Sequence, residues 1–291
     1  MPVPSLAIVV CATGATSFGD TMRALAPQVR GIDVERWLVA RSDNRAVDAV
    51  HVDGWRTLSV DPSLTLGQLF IRGLAATSAS VVAITTDRFV PAPDWVERVR
   101  RAHADTAAGV VAGAIEVAAD APPVTRAVFG CEYAGLGVRG GAAAVAANLS
   151  MSRASVDALV SRAASESWDA DWSRLFAAAG IEVTADQRRV VRLAHHFTVV
   201  AFMRERYHFS RTLSGLRAAT LGPVARVARA WAMPLLPLVL AARFVSILRR
   251  LTGGSHVART LPLMLWFTLP WALGDFVGTM RGPGASARKV G

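Results

Sequence analysis

Acidic residues nearly vanish from the last third of this chain. Residues 191–291 hold only Glu205 and Asp275 against 13 Arg and one Lys, whereas residues 1–190 carry 18 Arg against 20 Asp plus Glu. The formal net charge of +10 therefore comes entirely from the C-terminal segment. Such a split points to a polyanionic partner, either nucleic acid or an anionic membrane surface. Cysteine is scarce as well. Cys11 and Cys131 give no disulfide framework and no metal-ligand spacing, and Cys11 lies in an apolar run that reads as core. No basic-flanked apolar leader is visible at the start, so the N-terminal part is expected to remain in the cytoplasm. Internal repeats are lacking too, which excludes solenoid and propeller arrays.

What the chain has in quantity is apolar surface. At 291 residues it is 52% hydrophobic, with a mean hydropathy of +0.35. Two runs, 231–248 and 261–280, approach the roughly 20 helical residues that cross a hydrocarbon core of about 30 Å. Neither is clean. Pro234, Pro237 and Arg243 interrupt the first, and Pro262, Pro270 and Asp275 the second. Arg226, Arg229, Arg249, Arg250, Arg259 and Arg281 flank them, with Trp231, Trp266 and Trp271 as candidate interfacial anchors. A membrane hairpin and a pair of interfacial helices both satisfy this pattern. An anionic membrane is the expected partner. Nucleic acid is not, because these arginines flank apolar runs instead of interleaving with aromatics. Upstream, residues 202–216 alternate Phe202, Phe209, Leu213 and Leu216 with Arg204, Arg206 and Arg211, the pattern of an interfacial helix.

The first two-thirds alternates strand and helix. Residues 5–11, 34–40, 81–85 and 109–117 read as strands; 18–29, 66–77 and 94–105 read as helices. This order predicts a largely parallel sheet with helices on both faces. Residues 81–95 (VVAITTDRFVPAPDW) are the most telling: a β-branched run ends on a lone acid, Asp87, and a Pro-Ala-Pro turn follows. Open α/β sheets bind ligands outside the carboxyl ends of their strands. Residues 140–147 (GGAAAVAA) read as a small-residue loop.

Segment 81–95 resembles the metal- and nucleotide-binding stretch of family 2 glycosyltransferases, in which an Asp-rich triplet precedes "P-x-P-x-W". Other segments follow in that family's order. Asp43 follows the second strand, 66–75 stands where the family carries "A-R-N-x-G", and 129–136 with 148–153 (NLSMSR) resembles its acceptor loop. Asp169-Ala170-Asp171-Trp172, with Arg174-Leu175 beyond, resembles "E-D-x-D-L…R-L". The first loop departs from the pattern, carrying Cys11-Ala12-Thr13-Gly14 in place of "P-x-Y-N", and Trp168 replaces the acid before Asp169.

The resemblance, which spans about residues 5–218, implies a GT-A fold over 1–197. Interfacial helices would follow at 198–230, with a membrane hairpin and basic tail at 231–291. It implies inverting transfer from a nucleotide-sugar donor to a lipid-linked or cell-envelope glycan acceptor, at the cell membrane with the catalytic domain on the cytoplasmic side. Thr13, Asp43, Thr86, Asp87 and Arg88 would hold the nucleotide sugar. Asn148, Trp168 and Asp171 would lie on the acceptor side. Asp169 aligns with the family's catalytic base, but it also suits the N-cap of a helix over 171–179. A divalent cation, Mg²⁺ or Mn²⁺, is the expected cofactor, with Asp87 and His195 as its candidate ligands. Two registers are open for the acidic motif. Thr85-Thr86-Asp87 keeps one ligand, whereas Thr86-Asp87-Arg88 keeps neither ligand position and puts a guanidinium near the phosphates, where it would partly replace the cation. A third reading makes Arg88 a solvated loop residue, and a non-catalytic relative that keeps the fold as a binding module is the alternative function.

Overall fold

The computed structural model describes residues 5–44, 53–104, 109–118, 120–135, 147–163, 172–250 and 258–289. They fall into two compact units, Met1–Ala118 with Arg139–His195, and Ala119–Val138 with His196–Gly291. The 120–135 stretch, which the sequence places in the catalytic segment, thus groups with the C-terminal helices.

The first unit is built on an eight-stranded sheet of order β3-β2-β1-β4-β7-β6-β8-β5. β1 (Leu6–Ala12) is buried along its whole length, as expected of a parallel strand covered on both faces. It pairs in parallel with β2 (Val34–Arg41) and β4 (Val81–Thr86), and β3 (Arg56–Val60) extends the parallel half beyond β2. Beyond β4 the sheet becomes mixed. β6 (Val110–Val117) pairs antiparallel to β7 (Leu149–Ser152) and parallel to β8 (Val183–Leu193), while β7 is antiparallel to β4 and β5 (Phe89–Pro91) to β8.

Helices α1 (Phe18–Leu25), α2 (Leu66–Ala75) and α3 (Trp95–Ala104) follow β1, β3 and β5. α1 tightens into a 3₁₀ turn at Ala26–Val29, where Pro27 ends the α-helical ladder. α2 starts on a Thr65–Gln68 capping box, and its Gly73 lies so close to Val9 and Val39 that a side chain would collide with β1 and β2. α5 (Arg153–Ala163) and α6 (Trp172–Ala178) complete this unit, with Trp172 edge-on to Phe70 at 5.7 Å.

The Pro-x-Pro-x-Trp turn is fixed from inside. Trp95 is wholly buried and donates its indole N–H to Asn148 Oδ1 at 2.8 Å. Asn148 Nδ2 in turn donates to the carbonyls of Ala114 and Arg189. Arg189, also wholly buried, donates to Ser150 Oγ and to the carbonyls of Val111 and Asn148. Burial brings its pKa down to about 10. His103 bonds the same Ser150 hydroxyl at 2.8 Å, and burial together with the Arg189 charge takes its pKa down to about 4. One polar chain thus ties α3 to β6, β7 and β8.

The second unit is helical: α4 (Pro123–Glu132), α7 (Val199–Ala218), α8 (Pro223–Ala232), α9 (Leu236–Arg250), α10 (Leu261–Trp266) and α11 (Thr268–Arg281), ending in a 3₁₀ turn at Gly284–Lys289. Its interior holds Arg206, which pairs with Glu132 and stacks on Phe202, Phe209 and Trp271. Two stretches, Pro223–Arg249 and Leu261–Arg281, are long and apolar enough to cross a membrane by length and composition.

Candidate nucleotide-binding site

The register of the parallel strands builds the site. Ala12 faces Ala40 across β1–β2, and Cys11 faces Thr86 across β1–β4, so the three strands end at one edge and hand over to loops 13–17, 41–44 and 87–88. Asp87 is the post that holds the first of them. It is wholly buried. Its Oδ2 accepts from the backbone N–H of Thr13 (2.8 Å) and Ala15 (2.9 Å), and its Oδ1 accepts from Thr13 Oγ1 (2.8 Å). Its carbonyl oxygen accepts from Ser17 Oγ at 2.6 Å and from Thr21 Oγ1 at 3.3 Å. A carboxylate in this position curls the first loop toward β4, and Gly14, at φ +82°, supplies the left-handed turn that the curl requires. Beneath it, burial and the Asp87 charge push the Cys11 thiol well above its ordinary pKa, so Cys11 is a packing residue.

The other expected nucleotide-side residues gather around this post. Thr86 Oγ1 accepts from the backbone N–H of Arg88 at 3.3 Å. Arg88 Nε reaches Thr13 Oγ1 at 3.4 Å, and its carbonyl accepts from the N–H groups of Ala194 and His195. His195 Nδ1 lies 3.2 Å from both the N–H and the hydroxyl of Thr16. Asp43 is exposed on the loop after β2, which Asn44 ties to the Ala12 carbonyl at 3.1 Å. Thr13, Asp43, Thr86, Asp87, Arg88 and His195 are thus brought to one edge. Sequence reasoning passed over Arg41 and Asn44, although both sit in the loop at the carboxyl end of β2. Burial and the charge of Arg88 draw Arg41 below its ordinary pKa, while Asp43 opposes them. Arg41, Asp43 and Arg88 therefore share one electrostatic neighbourhood.

The acceptor side differs from expectation. Asn148 is a core residue whose amide is spent on Trp95, Ala114 and Arg189, so it is not open to an acceptor. Trp168, Asp169 and Asp171 lie outside the described residues, as does most of the 140–147 loop. A cavity of about 600 Å³ lined by Arg98, Arg101, Asp186 and Arg188 shares no residue with the Asp87 site.

A divalent cation fits this donor set poorly. Mg²⁺ demands an octahedron of oxygens and keeps several waters. Asp87 is buried, with three of its roughly four acceptor positions taken by the first loop. Among the described residues no group of three His, Cys, Asp or Glu could hold a metal, and next to Asp87 stands Arg88, whose Nε reaches the same Thr13 hydroxyl that Asp87 holds and whose charge Arg41 senses.

No family model matches the chain, and no curated protein matches it in sequence. Solved structures do match in fold. A mannosyltransferase from Pyrobaculum calidifontis, in complex with GDP-mannose and Mn²⁺, is 14% identical over 96% of this chain and 87% of that one, with a TM-score of 0.52. Glucosyl-3-phosphoglycerate synthase from Mycobacterium tuberculosis, with Mn²⁺, UDP and phosphoglyceric acid, is 16% identical over 67% of this chain and 72% of that one, at a TM-score of 0.42. A 4-diphosphocytidyl-2C-methyl-D-erythritol synthase from Anaerococcus prevotii is 12% identical over 67% and 91%, at 0.43. The chain has the fold of GT-A type nucleotide-sugar transferases.

Proposed function

We propose that this protein is a family 2 type glycosyltransferase. It would move a sugar, with inversion, from a nucleotide-sugar donor to a lipid-linked or cell-envelope glycan acceptor at the cell membrane, its catalytic unit on the cytoplasmic side. The observation that carries the reading is the convergence of the first loop, Asp87, Arg88, Arg41 and Asp43 at the carboxyl edge of a GT-A sheet. This is where open α/β sheets take ligands. The mannosyltransferase holding GDP-mannose in the same fold supports a nucleotide-sugar donor.

In this reading the loop from Thr13 to Ser17, held by Asp87, shapes the pocket for the nucleotide, and exposed Asp43 bonds the base or ribose. Arg88 and Arg41 neutralise the diphosphate. Arginine is always charged and meets phosphate oxygens through paired N–H donors. The acceptor hydroxyl attacks the anomeric carbon as the bond to the diphosphate breaks, and its proton passes to the Asp169 carboxylate. General base help of this kind is typically worth about 10²–10⁴-fold. Trp168 and Asp171 would flank the acceptor. The poor fit of Asp87 to a cation supports arginine in place of the Mg²⁺ or Mn²⁺ that the resemblance implies.

The same observation favours a second reading, a non-catalytic nucleotide-binding module at the membrane. A donor panel separates the two. The transferase releases a nucleoside diphosphate from at least one nucleotide sugar, and Asp169→Asn abolishes release while leaving nucleotide binding in place. Binding without turnover across the panel supports the module, and neither binding nor turnover overturns both readings.

A further inference from the structure

Helix α11 is built inside out. Its buried face carries Thr268, Gly274, Asp275, Gly278 and Thr279, small or polar residues, while Leu265, Trp266, Leu269, Leu273, Phe276 and Met280 run along the exposed side of α10–α11. They recur at steps of three or four and form one stripe about 15 residues long. Exposure along it reaches 56% at Leu273, and the one charged residue between Arg259 and Arg281, Asp275, is turned inward and buried. A water-facing helix shows the reverse pattern. A second stripe of the same kind, including Val224, Val227, Trp231, Leu235 and Leu238, runs along α8–α9.

What lies on the buried side of α11 decides how such a stripe meets lipid. α7 runs beside it in the same direction, contact by contact. Phe202 stacks on Phe267 at 4.7 Å, Arg206 on Trp271 at 4.6 Å, and Ser210 donates to the Trp271 carbonyl at 2.8 Å. Gly274 and Gly278 let the α7 backbone at Tyr207 and Arg211 approach without room for a side chain, and Gly215 meets Gly282 and Pro283. The pair therefore stays in register over 14 residues of α7, about 20 Å. Along that length α7 carries Arg204, Glu205, Arg206, His208 and Arg211, and Arg217 follows. If α11 crossed the hydrocarbon, these ionisable groups would cross with it, which bilayers strongly resist.

Cations dominate this unit. Its acids are Asp120, Glu132, Glu205 and Asp275, of which Asp275 pairs with Arg229 at 3.4 Å and Glu132 with Arg206. Around His208, which bonds Ser286 at 3.0 Å, burial and the charges of Lys289, Arg204 and Arg211 together lower the imidazole pKa. Such a cation-rich surface complements anionic lipid headgroups.

Resting on the membrane association proposed above, we infer that the α10–α11 stripe lies flat in one leaflet of an anionic bilayer, its side chains below the headgroups, with α7 riding above it. The alternative of a hairpin through the bilayer is thereby replaced by an in-plane seat.

Depth measurements on the full-length protein test this. Nitroxide labels are placed singly at Leu265→Cys, Leu273→Cys and Met280→Cys, all exposed, while native Cys11 and Cys131 are buried and spared. On vesicles of 7:3 phosphatidylcholine to phosphatidylglycerol, the in-plane seat gives similar depths at all three sites, each within about 10 Å of the phosphates. A spanning helix separates the first and last label by about 22 Å in depth, and that result overturns the inference. Labels that stay water-accessible on vesicles while the protein self-associates would assign the stripe to a second copy, and equal binding to pure phosphatidylcholine would remove the anionic partner. Leu273→Glu should cut vesicle binding at least tenfold with an unchanged melting profile. None of these readouts requires turnover, so a failed donor panel leaves them interpretable.

Discussion

Changing Asp87 separates a loop anchor from a metal ligand. In Asp87→Ala the N–H groups of Thr13 and Ala15 and the Thr13 hydroxyl lose a charged acceptor. Hydrogen bonds to a charged group are worth about 1.5–3 kcal/mol each, and they share one loop and do not simply add, so a loss of about 4 kcal/mol is expected. Asp87→Asn is gentler. Its amide oxygen can face the two backbone N–H groups while its NH₂ meets Thr13 Oγ1, whose hydroxyl can turn to accept. Neutral bonds of this kind are about half as strong as charge-assisted ones, so the loss is about 2 kcal/mol. At about 2–4 °C per kcal/mol, the melting temperature should fall by about 6 °C for Asn and about 12 °C for Ala. Thermal unfolding by tryptophan fluorescence reads this, and calorimetric titration with UDP and GDP, each with Mn²⁺ and with EDTA, reads the site. The anchor account expects the stability loss to be the same with either additive and nucleotide affinity to fall more for Ala than for Asn. A normal melting temperature for Asp87→Asn, together with loss of a Mn²⁺-dependent part of nucleotide affinity, would refute it.

Further expectations concern the buried polar chain. Arg189→Ala opens a cavity and leaves the Val111 and Asn148 carbonyls and Ser150 without their donor, so denaturant unfolding should show a loss of about 3–5 kcal/mol. His103, depressed to about 4, is neutral in the folded protein, whereas the unfolded imidazole titrates near 6.5. Its contribution is therefore complete above about pH 6.5 and is lost as pH falls toward 4, by about 1–2 kcal/mol after solvent screening. Unfolding midpoints between pH 7 and pH 4.5 check this, and His103→Asn should flatten the slope.

The parallel half of the sheet was legible because its strands are buried on both faces. The 6–12 and 81–86 runs show as unbroken apolar segments that need no partner to be recognised. β3 and β7 were not. Arg56–Val60 is half exposed, and Leu149–Ser152 is four residues inside what reads as an acceptor motif. α4 joins the second unit through Glu132 and Arg206, a contact 74 residues apart in sequence that no local pattern announces. At the site, Asp87 and its neighbours stand out as a lone acid after a strand. That the acid is turned inward, onto Thr13 and Ala15, depends on the path of a loop that spacing does not encode. The burial of Asn148 has the same origin, since Trp95 and Arg189 claim it from distant strands.

Turnover of nucleotide sugars with and without a chelator tests the central claim, that guanidinium charge stands where a metal would. With a donor that the protein uses, the account predicts diphosphate release in EDTA close to that in Mn²⁺, and at least a tenfold loss in Arg88→Ala under both conditions. Release that stops in EDTA and survives Arg88→Ala would contradict it.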